Sequence, residues 1–245
     1  MSVVFLLGLA IIAYLLGAFP SGVVLGKTLK GVDVRQYGSG KTGATNSLRT
    51  LGWQISLLVF VLDNAKGALA VWLPFAWLDN DWKAWGVLAC GLASMLGHDY
   101  SIFIGFQGGR GVAVGMGQVF VLSPLSMLFT AFVDVPLIAI TRYVSLASVV
   151  GCLMVEASLV IFYFLGTLPT NNDARYLLWG TAINGLIIWQ HRDNIRRLLS
   201  GTERKLGEKA KTAAPEQAPS ANLFANSFAS PTKTEQSQPE KTKIS

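Results

Sequence analysis

The sequence predicts an all-α integral membrane protein, a helical bundle with about seven transmembrane helices. Hydrophobic residues make up 51% of the 245 residues and charged residues only 14%, and the mean hydropathy is +0.45. A soluble domain carries roughly 25% charged residues, so this chain has too few charges to cover the surface of a soluble domain of its size. The apolar residues also fall into long runs, and a helix needs about 20 of them to cross a bilayer.

Seven apolar runs follow one another along the chain. The first lacks the basic start and the small-residue cleavage site of a signal peptide, so it is predicted to be a span. The fourth is short and Pro124 separates it from the fifth; these two could form one bent element, which makes the count six or seven. The runs are Val3–Leu25, Gly52–Leu78, Ala84–Phe106, Val112–Leu122, Leu125–Ile140, Tyr143–Leu165 and Ala174–Gln190.

The charges between these runs predict the orientation. If the N-terminus lies outside and seven spans follow, the C-terminal tail and most basic residues lie inside, namely Lys27, Lys30, Arg35, Lys41, Arg49, Arg110 and Arg142. The outer loops then hold only Lys83 and Arg175, beside Asp79, Asp81 and Asp173. This asymmetry follows the positive-inside rule and favours the odd count. It also accounts for the net charge of +6 without a nucleic-acid partner.

The composition changes from about Gly207 onward, where Lys, Ala, Pro, Ser, Gln and Thr dominate. Such a segment cannot bury enough apolar surface to offset the entropy lost on ordering. We therefore expect a membrane-embedded domain at residues 1–206 and a disordered cytoplasmic tail at residues 207–245. Cys90 and Cys152 offer neither a disulfide framework nor metal-ligand spacing, and no metal site is predicted.

A glycine-rich polar stretch between Tyr37 and Arg49 is the first candidate site. Its Gly-Ser-Gly-Lys-Thr run looks like a P-loop, but Arg35 stands where the first glycine of that pattern belongs and no strand precedes it. Small residues still let backbone N–H groups converge on an anion, and polar side chains add donors. We predict an anion cradle here, with a flexible polar connector as the alternative. Its members are Gly38, Ser39, Gly40, Thr42, Thr45, Asn46 and Arg49.

A second cradle is predicted at Gly108-Gly109-Arg110-Gly111, on the same inner face. Glycines at a helix start leave N–H groups free, and the helix dipole and a guanidinium both attract anions. A tight turn between two helices is the alternative. The run is not the Gly-x-Gly-x-x-Gly of a dinucleotide fold.

The stretch from His191 to Glu203 closes the last span and is the third candidate. Most of its arginines fit the role of positive-inside anchors. His191 and Asn194 are three residues apart, so on a continuing helix they share a face that could point at the site.

Several ionisable residues fall inside the apolar runs. Asp63 and Lys66 lie three residues apart, and facing lipid would cost a few kcal/mol or more for each charge. They must therefore pair with each other, pair with loop groups, or lie near water. Asp134 and Glu156 pose the same problem, while His98 could be a satisfied buried histidine.

These stretches together resemble the bacterial acyl-phosphate:glycerol-3-phosphate acyltransferase family. The family pattern runs close to GSGNxGATNxLRxxG, then DxxKG, then GHxxxxFxxFxGGKGVAT, then a serine near the next inner face, then HRxNIxRLxxGTE. In this chain the corresponding segments are Gly38–Gly52, Asp63–Gly67, Gly97–Val114, Ser145 and His191–Glu203.

The resemblance implies a reaction, its partners and a location. The family transfers an acyl group from acyl phosphate to the 1-hydroxyl of sn-glycerol 3-phosphate, giving lysophosphatidic acid and phosphate without a cofactor. A separate enzyme makes the acyl phosphate and is a possible partner. Membership implies the bacterial cell (inner) membrane, with the active site and the C-terminus cytoplasmic. Both substrates carry phosphate, which agrees with two anion cradles.

The resemblance also implies roles for individual residues. Ser39, Asn46 and Arg49 would hold the acyl phosphate and the developing oxyanion, and Lys66 and Arg110 would supply positive charge. The seat for glycerol 3-phosphate would be formed by Gly108, Gly109, Arg110, Gly111, Ser145, His191 and Asn194. Glu203 would order the end of the helix. The proton acceptor would be either a substrate phosphate oxygen or His191.

This chain departs from the family pattern at three positions, and these put the detailed roles in question more than the reaction. Lys41 replaces the usual Asn, Arg110 replaces the usual Lys, and Val114 replaces the usual Thr. The main rival function is a transporter for an anionic solute, which would need paired broken helices near the midplane. A non-catalytic membrane scaffold would not need the clustered glycines and donors.

Overall fold

The computed structural model describes residues 3–168 and 170–208, and within them the protein is helical, with no β-strand. Two short 3-10 helices, at Val34–Gln36 and Ile102–Ile104, lie in the loops. The α-helices are α1 (Val3–Ala18), α2 (Ser21–Lys30), α3 (Ala44–Leu51), α4 (Trp53–Trp77), α5 (Asn80–Asp99), α6 (Val112–Leu122), α7 (Pro124–Thr141), α8 (Val144–Phe164), α9 (Arg175–Gln190) and α10 (Arg192–Leu199).

The second run coincides with α4, and the fourth to seventh runs coincide with α6 to α9. The first run is divided between α1 and α2, and the third, Ala84–Phe106, extends seven residues beyond the end of α5 at Asp99. Four stretches are long and apolar enough to cross a bilayer: Val3–Lys30, Trp53–Trp77, Pro124–Thr141 and Val144–Phe164. Helix α6 has 11 residues, and at 1.5 Å per residue it covers about 17 Å of a ~30 Å apolar layer. Helices α6 and α7 meet at Ser123 as separate elements. The count of seven spans stays a prediction.

The helices pack through small residues at their closest approaches. A Cβ added at Gly67 on α4 would collide with the backbone of Val114 on α6, and one added at Gly117 on α6 would collide with the backbone of Asn64. The same relation joins α1 to α5 through Gly97. Glycine lets two backbones approach closely, which is how helices associate in lipid.

The outer surface is strongly apolar. Phe132, Ile140 and Phe164 are 80–84% exposed, whereas the core between α4, α5, α6, α8 and α9 is built around Trp179 and other buried side chains. Exposed apolar area of this extent is incompatible with an aqueous surround and fits contact with lipid.

Two charged residues of α4 stabilise a break in the first apolar run. Helix α1 ends at Ala18 and α2 begins at Ser21, so carbonyls at the break lack helical partners. Lys66 Nζ donates to the Phe19 carbonyl at 2.9 Å and pairs with Asp63 Oδ1 at 2.9 Å. The Ser21 hydroxyl donates to the same carboxylate oxygen at 2.9 Å. The two charges therefore pair with each other, and they also hydrogen-bond to the Phe19 carbonyl and the Ser21 hydroxyl at the helix break.

The predicted tail at residues 207–245 lies almost wholly outside the described residues and stays a prediction. The segment before it packs back onto the helices, because the Leu206 N–H donates to the Arg142 carbonyl and the Arg142 guanidinium donates to the Leu206 carbonyl.

Candidate active site

A cavity of about 390 Å³ opens where the inner loops meet the helices. Its polar end is formed by the loop before α3, the loop before α6, and the chain around α10. Its other end runs between α6, α7, α8 and α9. The predicted site residues that line it are Ser39, Thr45, Asn46, Arg49, Arg110, Gly111, Ser145, His191, Asn194 and Glu203. Segments that are 164 residues apart in sequence, from Ser39 to Glu203, thus share one cavity.

The predicted site residues outside this lining are Gly38, Gly40, Lys66, Gly108 and Gly109. Gly38 and Gly40 have φ of +61° and +69°, a left-handed backbone that glycine adopts without strain, so they shape the first loop. Lys66 pairs with Asp63 at the break between α1 and α2. Its charge is therefore compensated within the protein, and the resemblance's expectation that Lys66 supplies positive charge to the site stays a prediction.

Asn46 holds the first loop together. Its side-chain amide lies 2.9 Å from the Val34 carbonyl, 3.1 Å from the Tyr37 carbonyl and 2.9 Å from the Lys41 carbonyl, and donates to them. Its oxygen accepts the Ser39 N–H at 3.0 Å. With 2% of its surface exposed, Asn46 has its hydrogen-bonding capacity used within the protein. The contacts make it the organiser of the loop, which differs from direct contact with a substrate.

Arg49 on α3 reaches from this loop towards the chain after α10. Its Nη2 donates to the Arg204 carbonyl at 3.2 Å, while its Nε is buried without a hydrogen-bond partner. Burial, followed by the charge of Arg204, lowers the pKa of the Arg49 guanidinium from its ordinary value. A buried donor without a partner is costly, and an anion in the cavity would relieve that cost.

The second loop is tied to the end of α5. A Cβ at Gly108 would collide with the backbone of His98 and Asp99, and one at Gly109 with the His98 imidazole. The Gly109 N–H donates to the His98 carbonyl at 3.1 Å, so it is not free for an anion. This corrects the expectation of free N–H groups at this position: the first two glycines allow close packing. Gly111, with φ of +76°, starts α6 and lines the cavity.

The side chain of Arg110, in the second loop, lines the cavity and places a positive charge there. In the described part of the chain its guanidinium has no carboxylate partner. Burial, followed by the charge of Arg197, lowers the pKa of Arg110 to about 10. At neutral pH it is still a cation, and an unpaired, half-buried cation attracts a phosphate strongly.

His191 lies between two helices instead of within one continuing helix, because α9 ends at Gln190 and α10 begins at Arg192. Its Nδ1 is 2.8 Å from the Ile187 carbonyl. A carbonyl only accepts, so Nδ1 carries the hydrogen and Nε2 of the neutral ring is an acceptor. Burial, followed by the charge of Arg110, lowers the pKa of His191 to about 4.

Glu203 joins three segments at the polar end of the cavity. Its Oε1 accepts the Ser145 hydroxyl at 2.8 Å and the Asn194 amide at 2.7 Å, and its Oε2 accepts Arg197 Nε at 2.7 Å. Burial opposes its charge, but the hydrogen bonds from Asn194, Ser145 and Arg197 outweigh it and lower the pKa of Glu203. The Asn194 Oδ1 is buried without a partner.

The other end of the cavity is lined by apolar faces of α7, α8 and α9. On α7 the lining residues recur every three or four positions, as one face of a helix does. They are Met127, Thr130, Ala131, Asp134, Val135 and Ile138. The sequence marked Asp134 as an unexplained intramembrane charge, and only the structure brings it to this wall. The sequence feature that pointed to Asp134 was the presence of a charged residue within an apolar run.

The arrangement combines unpaired cations at one end with an apolar groove at the other. It fits a ligand with a phosphate head and an aliphatic tail. Within residues 3–168 and 170–208, no group of three or more His, Cys, Asp or Glu is arranged to hold a metal ion.

Known proteins similar to this chain include glycerol-3-phosphate acyltransferases. The glycerol-3-phosphate acyltransferase family model matches residues 7–201. Glycerol-3-phosphate acyltransferase from Crocosphaera subtropica is 41% identical over 209 residues, covering 82% of this chain and 94% of that protein. The enzyme from Thermus thermophilus is 42% identical over 201 residues, covering 82% and 95%.

The solved structures agree. The crystal structure of PlsY, an integral membrane glycerol 3-phosphate acyltransferase, in its glycerol 3-phosphate form has a TM-score of 0.73 and 42% identity. The match covers 83% of this chain and 96% of that one. The lysophosphatidic acid form has a TM-score of 0.71 and 41% identity over 82% and 95% of the two chains. This protein is accordingly an all-helical integral membrane protein, and it belongs to the glycerol-3-phosphate acyltransferase family.

Proposed function

We propose that this protein transfers an acyl group from acyl phosphate to the 1-hydroxyl of sn-glycerol 3-phosphate. The products are lysophosphatidic acid and inorganic phosphate, and the reaction begins phospholipid biosynthesis. Family membership supports acyl transfer to glycerol 3-phosphate, since the curated relatives carry that activity in their names. The rival function, transport of an anionic solute, has no such support.

One observation carries the choice of acyl donor. The same cavity holds the cationic mouth around Arg49 and Arg110 and an apolar groove between α7 and α8. Acyl phosphate has both characters in one small molecule, whereas a carrier-protein thioester would need a docking surface for its carrier. When the phosphate group of acyl phosphate binds at the mouth, its acyl tail therefore lies in the groove.

The proposed step is a single acyl transfer. The 1-hydroxyl oxygen bonds to the carbonyl carbon, and the bond from that carbon to the phosphate oxygen breaks. Phosphate leaves with the electron pair, and the hydroxyl proton passes to a phosphate oxygen or to His191 Nε2. Arg49 and Arg110 stabilise the charge that develops on the carbonyl and phosphate oxygens. Binding both substrates in one cavity also orients the hydroxyl towards the carbonyl carbon, which contributes to the rate.

Glu203 and Asn46 support this chemistry without touching the reacting atoms. Glu203 fixes Ser145 and Asn194, which we assign to glycerol 3-phosphate. Asn46 fixes the loop that carries Ser39, which we assign to acyl phosphate with Thr45. Gly38, Gly40, Gly108 and Gly109 act through backbone shape and close packing, and Lys66 acts through its ion pair with Asp63.

The location follows from the charge asymmetry. We propose a bacterial inner-membrane protein with its N-terminus outside and its cavity mouth on the cytoplasmic side, where glycerol 3-phosphate would be supplied. The basic residues beside the mouth satisfy the positive-inside rule in this orientation. The enzyme that makes acyl phosphate is the partner we expect at this face.

Phosphate release from purified protein tests the proposal. In detergent, with no added cofactor, palmitoyl phosphate and glycerol 3-phosphate together should release phosphate and form lysophosphatidic acid. Arg49→Ala should lower kcat by about 100-fold or more, as loss of an oxyanion donor does. Arg196→Ala is the matched control, because that side chain is 80% exposed. Turnover of palmitoyl-CoA in place of palmitoyl phosphate would overturn the donor assignment.

A further inference from the structure

Lys41 lines the cavity but belongs to no role implied by the family pattern, where an asparagine stands. Its backbone is fixed on both sides. The Lys41 carbonyl accepts the Asn46 side-chain amide at 2.9 Å, and the next residue, Thr42, donates its N–H to the Gly108 carbonyl at 3.4 Å. The ammonium group is therefore carried by a loop that is anchored to both cradles.

The charge of Lys41 is uncompensated in the same way as that of Arg110. Across residues 3–168 and 170–208 the ammonium group forms no ion pair. Burial, followed by the charge of Arg110, lowers the pKa of Lys41. Two cations that repel each other in a partly buried chamber gain most from an anion placed between them.

A buried carboxylate lies close to the loop that carries Lys41. Asp99, at the end of α5, is 2% exposed. Its Oδ2 accepts the Gln190 amide at 2.9 Å, and its Oδ1 is buried without a partner. The charge of Asp99 favours the charged form of Lys41, although the two groups form no direct ion pair in the described structure. Gln190 therefore holds Asp99 near the loop that carries Lys41, since the Asp99 backbone packs against Gly108 and the Gly108 carbonyl accepts the Thr42 N–H.

We propose that Lys41 binds the phosphoryl group of a substrate together with Arg110, and that Asp99 positions Lys41 for this contact. The inference rests on the proposed function, because both substrates of that reaction carry a phosphoryl group. Lys41 would add a full charge to a cradle in which the family pattern supplies a neutral amide. Acyl phosphate and glycerol 3-phosphate are the two sources of the group.

Steady-state kinetics of Lys41→Asn and Lys41→Arg test the contact. Lys41→Asn should raise the KM of one substrate by about tenfold, the range for a hydrogen bond to a charged group, with kcat changed less than about threefold. Whether the KM of palmitoyl phosphate or of glycerol 3-phosphate rises identifies the source. Inhibition by inorganic phosphate should weaken in parallel, and Lys41→Arg should restore most of both. Lys30→Asn, an exposed lysine on α2, is the control and should leave every constant unchanged.

A double-mutant cycle tests the part played by Asp99. Asp99→Asn should raise the same KM in the wild-type background and have little further effect when Lys41 is already Asn. An equal loss in both backgrounds would mean that Asp99 only supports the fold. If Lys41→Asn leaves both KM values and phosphate inhibition within about twofold of an active wild type, the inference fails while the proposed function stands. A wild type that turns over neither substrate pair would instead remove the proposed function.

Discussion

Charge pairing decides which basic residues at the cavity can act on a phosphate. Arg197 lies 2.7 Å from Glu203, and Lys66 lies 2.9 Å from Asp63, so both charges are largely neutralised. Lys41, Arg49 and Arg110 line the cavity and form no ion pair within the described ranges. An unpaired cation retains its attraction for an anion, whereas a paired one must first lose its partner. Both pairs are close in sequence, with Asp63 three residues before Lys66 and Glu203 six residues after Arg197. The meeting of Lys41, Arg49 and Arg110 at one cavity is not visible in the sequence, because Arg110 comes from a distant segment.

His191 illustrates how a hydrogen bond sets a chemical role. Since Nδ1 donates to the Ile187 carbonyl, the neutral ring presents Nε2 as an acceptor, and with a pKa of about 4 it stays neutral at physiological pH. Protonation would occur only as the pH falls through that value. A histidine at its ordinary pKa of about 6.5 would instead titrate near neutrality.

The pH dependence of kcat tests this assignment. We expect kcat to be level between about pH 6 and pH 8, without a step near 6.5, and any loss due to His191 to appear as the pH approaches 4. His191→Ala should lose most of its turnover and keep its thermal stability in detergent. A wild-type profile that halves near pH 6.5, and becomes flat in His191→Ala, would show that the ring is charged in the neutral range.

At the scale of helices, the α7–α8 hairpin forms the wall along which an acyl chain would lie. Asp134 interrupts this wall. Its Oδ1 is buried without a partner, and it packs against Gly151, where a Cβ would collide with Oδ2. Thr130, one turn away, also has a buried hydroxyl without a partner. Asp134 as a whole is half-buried, so methylene groups that pass it would remove hydration from the rest of its carboxylate, which costs free energy.

Asp134→Leu should therefore improve binding of a saturated acyl chain. We expect the KM of palmitoyl phosphate to fall by about threefold to tenfold, matching the cost of covering an unpartnered polar group, while the KM of glycerol 3-phosphate stays the same. Phe132→Leu, on the 84% exposed position of the same helix, serves as the control. A rise in the KM of palmitoyl phosphate for Asp134→Leu would mean that the carboxylate assists chain binding.

The elements were far easier to predict than their contacts. Long apolar runs located α4 to α9 because hydropathy over about 20 residues reflects the lipid environment. The close pairing of Asp63 with Lys66 was among the predicted alternatives, since three residues separate them. The attachment of Lys66 to the Phe19 carbonyl and the meeting of Ser145 with Glu203 were not predictable, because 47 and 58 residues intervene. Gly109 was expected to offer a free N–H, yet packing against His98 determines its role.

At the scale of the whole molecule, the cavity joins the inner loops to the apolar interior, so a substrate can keep its phosphate at the mouth and its tail among the helices. This requires the three loop segments that carry Ser39, Arg110 and His191 to lie on one side of the membrane. The structure brings them to one cavity. Which side that is depends on the orientation that we infer from the loop charges.

Labelling of single introduced cysteines tests that orientation. Lys30→Cys on α2 should react with a membrane-impermeant maleimide only in inside-out vesicles, and Asp79→Cys before α5 only in right-side-out vesicles or intact cells. Both positions are exposed, whereas the native Cys90 and Cys152 are buried and should give little background. Arg49 and Arg110 would then face the cytoplasm with their phosphorylated substrates. The reverse pattern would put the mouth outside, where glycerol 3-phosphate would have to be supplied from the exterior, and labelling of both positions from one side would contradict a span at α4.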